Sequence, residues 1–262
     1  MLAAVHWHVV WVRIAHPDHA FFRALYTTVY MAVIAQVLGV LLGLVAALMR
    51  TSKFGPFRFL SGIYVWLFRG TPVLVQIFFI YYGANELLGF TLIPNTLNLG
   101  FFNLDGAVLA GILALGINEG AYMREIIRAG IDSIDKGQME AAKSLGMRYG
   151  LAMRRIVLPQ AARVIVPPLG NEFNNMLKTT SLVFTIGVYE MFADAEIGYS
   201  NTFLPVEYFL AVAFWYLVLT TVWTFIQAAI ERKLAASERG EELSFRERLE
   251  AAWSPVTAWA RR

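Results

Sequence analysis

Residues 21–49 form an apolar run that is broken by one charge, Arg23, and by uncharged polar residues such as Gln36. At about 1.5 Å of helical rise per residue this run exceeds the roughly 30 Å hydrocarbon core of a bilayer. A segment so long and so apolar has to satisfy its backbone polar groups internally, as a helix. Four further stretches follow the same pattern. The second covers 57 to about 88 and is interrupted by Arg69-Gly70-Thr71-Pro72. The third covers 106–127 with Glu119 inside it, the fourth runs with breaks from near 164 to about 188, and the fifth, 208–230, is the cleanest. Only 16% of the 262 residues are charged and 58% are hydrophobic, against about 25% charged in soluble domains. The expected fold class is an all-α integral membrane protein with five transmembrane helices. A complete lack of Cys excludes a disulfide scaffold, a thiolate metal site and a cysteine nucleophile.

Two of the spans contain breaks. In the second, Pro72 removes a hydrogen bond and Gly70 weakens the helix. Either residues 57–68 lie along the interface while 71–88 cross, or one tilted helix does both. In the fourth, Pro167-Pro168 suits a helix beginning, and Lys178-Thr179-Thr180-Ser181 interrupts the apolar pattern halfway.

The basic residues alternate between sides. Arg50, Lys53 and Arg58 follow the first span. Arg124, Arg128, Lys136, Lys143, Arg148, Arg154, Arg155 and Arg163 follow the third or end it, and the tail after the fifth adds seven more from Arg232 onward. Residues 83–105 and 190–207 have no Lys or Arg. Basic loops stay in the cytoplasm, which places the N-terminus outside and the C-terminus inside. The net charge of +3 therefore reflects membrane sidedness rather than a nucleic-acid face. Three parts are expected: an interfacial segment, 1–20, held by Trp7 and Trp11; a transmembrane domain, 21–232, with a cytoplasmic loop at about 132–160; and a charged tail, 233–262. No signal peptide is expected in the first part. In the tail, Phe245, Leu249 and Trp253 would line one helix face.

The cytoplasmic loop is too polar to span, yet it is rich in helix formers. Gln138 to Leu145 would form about two turns, Gly146 permits a sharp change of direction, and 149–158 can form a second short helix that Pro159 breaks or restarts. Two short helices at an angle make a rigid knob, suited to receiving motion from a soluble partner.

Glu140-Ala141-Ala142, then Gly146, then Ile156-x-Leu158-Pro159, resemble the EAA loop of importer-type ABC permeases. Arg69-Gly70-Thr71-Pro72-Val73-Leu74-Val75-Gln76, Ala121-Tyr122-x-x-Glu125-x-x-Arg128-Ala129-Gly130-Ile131 and Pro167-Pro168-x-x-Asn171 are similar to signatures of the polar amino acid branch, and the similarity covers about 27–233. The resemblance implies the type I importer permease fold in a bacterial cytoplasmic membrane and a translocating rather than catalytic chain. It also implies a partner ATPase dimer that binds ATP and magnesium, a second permease subunit (identical or similar), and an extracytoplasmic amino-acid-binding protein. No cofactor is expected on this chain, which has no G-x-x-x-x-G-K-[ST]. Glu140, Ala141, Ala142, Gly146, Leu158 and Pro159 would couple to the ATPase.

Ionisable residues inside spans default to functional candidates. An amino acid presents both a carboxylate and an ammonium, so a site needs both signs or matching dipoles. Lys178, with the break at Thr179 and Ser181 and with Asn171 and Asn175 nearby, is the candidate for the carboxylate, and Glu119 for a positive group. The alternative is that Glu119 and Lys178 pair with each other or with neighbouring subunits and only hold the bundle. Members of the branch often have Lys-Asp-Thr-Ser where this chain has Lys178-Thr179-Thr180-Ser181. Arg69 is either a gate residue or an interfacial anchor, and Glu125 and Arg128 are spaced to pair. His6, His8, His16 and His19 could be imagined as a metal site, but they have no Cys and no acidic cluster beyond Asp18 beside them. Three rival functions stand beside the importer reading: an ion-coupled secondary transporter, which would have paired inverted halves; a membrane-embedded enzyme, which would need a positioned nucleophile, metal ligands or a carboxylate pair within the spans; and a scaffold whose partner permease holds the substrate.

Overall fold

The computed structural model describes residues 5–239 apart from 90, 92 and 99–102. Helix α1 (Trp7–Ala15) precedes α2 (His19–Thr51), whose start is set by Asp18: its side chain accepts from the Phe21 amide at 2.8 Å. Then come α3 (Gly55–Gly70), α4 (Val73–Phe78), a π-helical turn (Phe79–Gly83) and α5 (Ala84–Leu88). A small hairpin, β1 (Thr96–Asn98) with β2 (Asn103–Asp105), pairs Thr96 opposite Asp105. It is followed by α6 (Gly106–Asp132), α7 (Lys136–Ser144), α8 (Tyr149–Ala152), a π turn (Met153–Val157), α9 (Leu158–Thr179), a 3-10 stretch (Thr180–Ile186), α10 (Met191–Thr202) and α11 (Pro205–Arg239).

Among the described residues α2, α6 and α11 are long and apolar enough to cross a membrane. The pair Gly55–Gly70 and Val73–Leu88 meets the same test together, bent by 107°. That angle excludes one tilted helix across 57–88. Residues 57–68 also pack into the bundle: Ser61 Oγ donates to the Ala46 carbonyl at 2.8 Å and the Tyr64 hydroxyl to the Ile117 carbonyl at 2.6 Å. The fourth expected segment is α9 and its 3-10 continuation, which begins earlier than expected and carries Asn171, Glu172, Asn174, Asn175 and Lys178. Helix α11 continues past residue 232 to Arg239, and Phe245, Leu249 and Trp253 lie outside the described residues.

The chain divides into two units, the first comprising residues up to Ile127 with Asn175–Val218, the second Arg128–Asn174 with the chain from Leu219 onward. In the first, α2 and α6 approach through small residues. A Cβ on Gly39 would lie 2.5 Å from Glu119 Cγ, and one on Gly116 would lie 2.6 Å from Leu38 Cδ2. Glycines four apart on each helix let the backbones close up, as lipid-embedded helices require in the absence of a hydrophobic drive. The bend at Pro72 is satisfied in kind. Proline leaves the Phe68 carbonyl without its helical donor, and that oxygen accepts from Gln76 Nε2 at 2.9 Å and Asn118 Nδ2 at 2.9 Å. At the N-terminus, α1 presents Trp7 and Trp11 outward and is tied down by Arg13, whose guanidinium lies 3.8 Å from Asp194 and 4.7 Å from the Tyr208 ring centroid.

The second unit corrects one expectation about proline and decides another. Pro167 and Pro168 lie inside α9 rather than at its start, and of the two readings of Pro159 the restart holds: it stands in the first turn of α9, with the π turn joining α8 to that helix. The reason is local. In the π turn the Leu158 amide reaches back five residues to the Met153 carbonyl, a wider turn that accommodates the following proline.

Candidate functional site

The elbow in the second unit is built from caps. Asp135 accepts from the Gly137 amide at 2.6 Å to open α7. At the other end Gly146 adopts φ +78, its amide bonds the Lys143 carbonyl at 2.9 Å, and the Met147 amide bonds the Ala142 carbonyl at 3.1 Å. These two bonds form the Schellman motif. No atom lies within 4 Å of a Cβ built on Gly146, so backbone conformation, not space, requires glycine there. α7 packs on α8 and on the π turn, with Ala142, Ala152 and Val157 buried. Glu140 and Ala141 face outward, as do Leu158, Pro159 and the bulky Leu145 and Tyr149, at 82% and 61% exposure. Exposed apolar side chains on the same elbow as an exposed carboxylate form a composition that suits a protein contact.

In the first unit an open cavity of about 430 Å³ is lined by Lys178, Ser181, Phe192, Phe209, Val212, Ala213 and Tyr216. Thus two of the expected substrate residues, Lys178 and Ser181, share a wall. The helix changes its winding immediately before Ser181, between Thr179 and Thr180. Thr179 turns its hydroxyl back onto the Asn175 carbonyl at 2.9 Å, and Asn175 is exposed on the same turn. Asn171, in the second unit, accepts from Gln227 Nε2 at 3.3 Å. Glu119 is not part of the cavity lining. It is buried between α2 and α6, where Gln36 Nε2 donates to it at 3.0 Å. Arg69 lies 5.0 Å from the centroid of Tyr122. Glu125 pairs with Arg124, and Arg128 contacts Asp132 at 2.7 Å. Of the histidines, His6 bonds Glu207, with Nδ1 to Oε1 at 3.1 Å.

Sequence reasoning missed Glu190 and the cavity's aromatic residues. Glu190 is fully buried between the 3-10 stretch and α10, outside the spanning segments. It caps α10 by accepting from the Ala193 amide at 2.8 Å. Its other oxygen accepts from the Tyr216 hydroxyl at 2.9 Å and from Thr28 Oγ1 at 3.4 Å. Burial pushes its carboxyl up to about 7, and the hydrogen bonds offset only part of that cost. The available signal was a carboxylate three residues after Gly187, which takes φ +88 at the end of the 3-10 stretch.

Residues 39–236 match the family model described as binding-protein-dependent transport system inner membrane component. The chain is 42% identical over 213 residues to the arginine transport system permease protein ArgU of Corynebacterium glutamicum, covering 78% of this chain and 65% of that one. It is 40% identical over 217 residues to the probable amino-acid permease protein YxeN of Bacillus subtilis, covering 83% and 92%. A crystal structure of an amino acid ABC transporter with histidines superposes with a TM-score of 0.70 at 39% identity, covering 82% of this chain and 94% of that one.

Proposed function

Because the chain belongs to the family of binding-protein-dependent transport system inner membrane components, we propose that it is the membrane-spanning permease subunit of an ATP-driven importer of polar amino acids. It sits in a bacterial cytoplasmic membrane with its N-terminus outside and its C-terminus in the cytoplasm, the side on which its Arg and Lys residues collect. A separate ATPase dimer binds ATP and magnesium and docks on the elbows of two permease subunits, identical or similar, and an extracytoplasmic binding protein delivers the amino acid.

The elbow carries this reading. Glu140 and Ala141 lie exposed on a helix whose exit is locked by Gly146 in the left-handed conformation. A knob fixed by backbone hydrogen bonds transmits displacement, where a flexible loop would absorb it. ATP shifts the permease between arrangements only if the ATP-bound partner binds one of them better. Glu140 supplies the charged contact and Leu145 and Tyr149 the apolar one, while Ala142 keeps the two short helices close. In the cavity, Lys178 meets the substrate carboxylate and Ser181 adds a hydrogen bond. Glu119, enclosed between α2 and α6, acts on the substrate only through the packing of those helices.

The test is Gly146→Val in the assembled transporter, reconstituted in liposomes with its binding protein. A β-branched side chain is strained at positive φ. ATPase stimulation by loaded binding protein should fall about tenfold, the effect of some 1.4 kcal/mol at the coupling contact, while Gly150→Ala, with nothing within 4 Å of its added carbon, stays at the wild-type level. Normal stimulation in Gly146→Val would refute the elbow's role.

A further inference from the structure

The Lys178 cavity has one charged lining residue, and it is a cation. A zwitterionic amino acid needs an opposite pole as well, and Glu119, the acid proposed from sequence, lies elsewhere. Another carboxylate reaches the wall indirectly: Tyr216 belongs to the lining, and its hydroxyl donates to Glu190 Oε2 at 2.9 Å. We propose that Glu190, acting through Tyr216, is the negative pole of this cavity and holds the α-ammonium of the bound amino acid opposite Lys178. The proposal rests on the reading of the cavity as the amino-acid site.

The geometry favours a fixed pole. Glu190 has no exposed surface, and its partners come from three elements: Thr28 on α2, the Ala193 amide on α10 and Tyr216 on α11. The Met191 amide donates to Thr28 Oγ1 at 3.2 Å, which holds that hydroxyl in place. A phenol that donates to a carboxylate makes a charge-assisted bond, and the polarised phenol oxygen becomes a better acceptor for a cation. The rest of the wall suits the same group. Phe192 and Phe209 stack with centroids 5.5 Å apart and planes 17° apart, and aromatic faces attract ammonium groups. Glu190 is a positioning residue in this scheme, since it contacts Tyr216 and not the ligand. A recessed carboxylate also avoids the direct Lys178–acid pair that would compete with the substrate for both charges.

The experiment uses the purified permease–ATPase complex in lipid nanodiscs at about pH 8, where the Glu190 carboxyl is ionised, titrated at equilibrium with three probes. These are L-arginine, 5-guanidinopentanoate, which lacks the α-ammonium, and agmatine, which lacks the carboxylate. Wild type should prefer arginine over 5-guanidinopentanoate by about tenfold or more, the usual worth of a hydrogen bond to a charged group. Glu190→Gln keeps the α10 cap, and Tyr216→Phe keeps the ring. Each should erase most of that preference while leaving the preference over agmatine intact, and the double variant should lose no more than either single one. Lys178→Gln should show the converse pattern. If Glu190→Gln keeps its full preference, or if the two losses add, the pole is not Glu190 acting through Tyr216, while a Lys178 effect on agmatine preserves the cavity reading. If wild type does not bind arginine, or discriminates against neither analogue, the cavity reading falls and this inference with it.

Discussion

Helices α6 and α11 are both apolar enough to cross a bilayer, yet 67% of the most apolar stretch of α6 is enclosed by the protein against 11% for α11. The more apolar helix is the less enclosed one. In water the order would be reversed, but lipid tails solvate leucine as well as protein does, so hydropathy shows which segments cross without showing which is central. Residue size and polar ties do that. α6 places Gly116 and Gly120 where Leu38, Leu42 and Tyr64 press against it. α11 is held by aromatic contacts, such as Phe21 with Trp215 and Phe173 with Trp223, and by hydrogen bonds: Trp215 Nε1 to the Arg13 carbonyl at 3.4 Å, Tyr216 to Glu190, and, within the second unit, Trp223 Nε1 to the Gly170 carbonyl at 2.7 Å.

This contrast can be broken at either helix. The largest effect is expected for Gly120→Leu, whose Cβ would overlap the Tyr64 hydroxyl and sit 2.8 Å from Leu42 Cβ. Overpacking of this kind costs about 3 kcal/mol or more, and fluorescence-detected chromatography of the detergent-solubilised protein should show little folded permease. The next effect is a pH dependence. The Glu190 carboxyl titrates near 7 when folded, above its ordinary 4.5. Its contribution is therefore fully present below about pH 4.5 and is lost as pH rises through 7, a change of about 3 kcal/mol. Melting temperature should fall across that window, and Glu190→Gln should remove this part of the slope; an unchanged slope would exclude Glu190 as its source. Trp223→Phe removes one tie of α11 while the Gly170 carbonyl keeps its place in the α9 helix, and should lower stability by about 1 kcal/mol in thermal unfolding. The smallest effect belongs to Val222→Ala on the exposed face of α11, expected within about 0.5 kcal/mol. A larger loss that grows on dilution would identify that face as a subunit contact instead.

The sequence was informative where the determining chemistry is local. Pro72 breaks the second span, Gly146 turns the elbow, and α6 begins at Gly106 as its apolar run predicts. It misled at Pro167-Pro168, which read as a helix beginning but are carried inside α9, whereas Pro159, read as a break or a restart, stands in the first turn of α9 after the π turn. Long-range pairing was beyond its reach. Thr28 and Glu190 meet across 162 positions and Gln36 and Glu119 across 83, and no spacing rule connects residues so far apart. Of the expected substrate residues, Lys178 and Ser181 share the cavity because a break in apolar periodicity is itself a local signal. The aromatic wall carries no such mark in a chain with 19 Phe and 11 Tyr.

The tightly wound segment Thr180–Ile186 has a mechanical consequence. A 3-10 helix rises about 2.0 Å per residue and an α-helix about 1.5 Å. Rewinding these seven residues as α-helix would shorten the segment by about 3.5 Å and counter-rotate its far end by about 140°, given three against 3.6 residues per turn. Such a rewinding would move the wall at Ser181 by a screw-like stroke, drawn from a change of winding without any hinge.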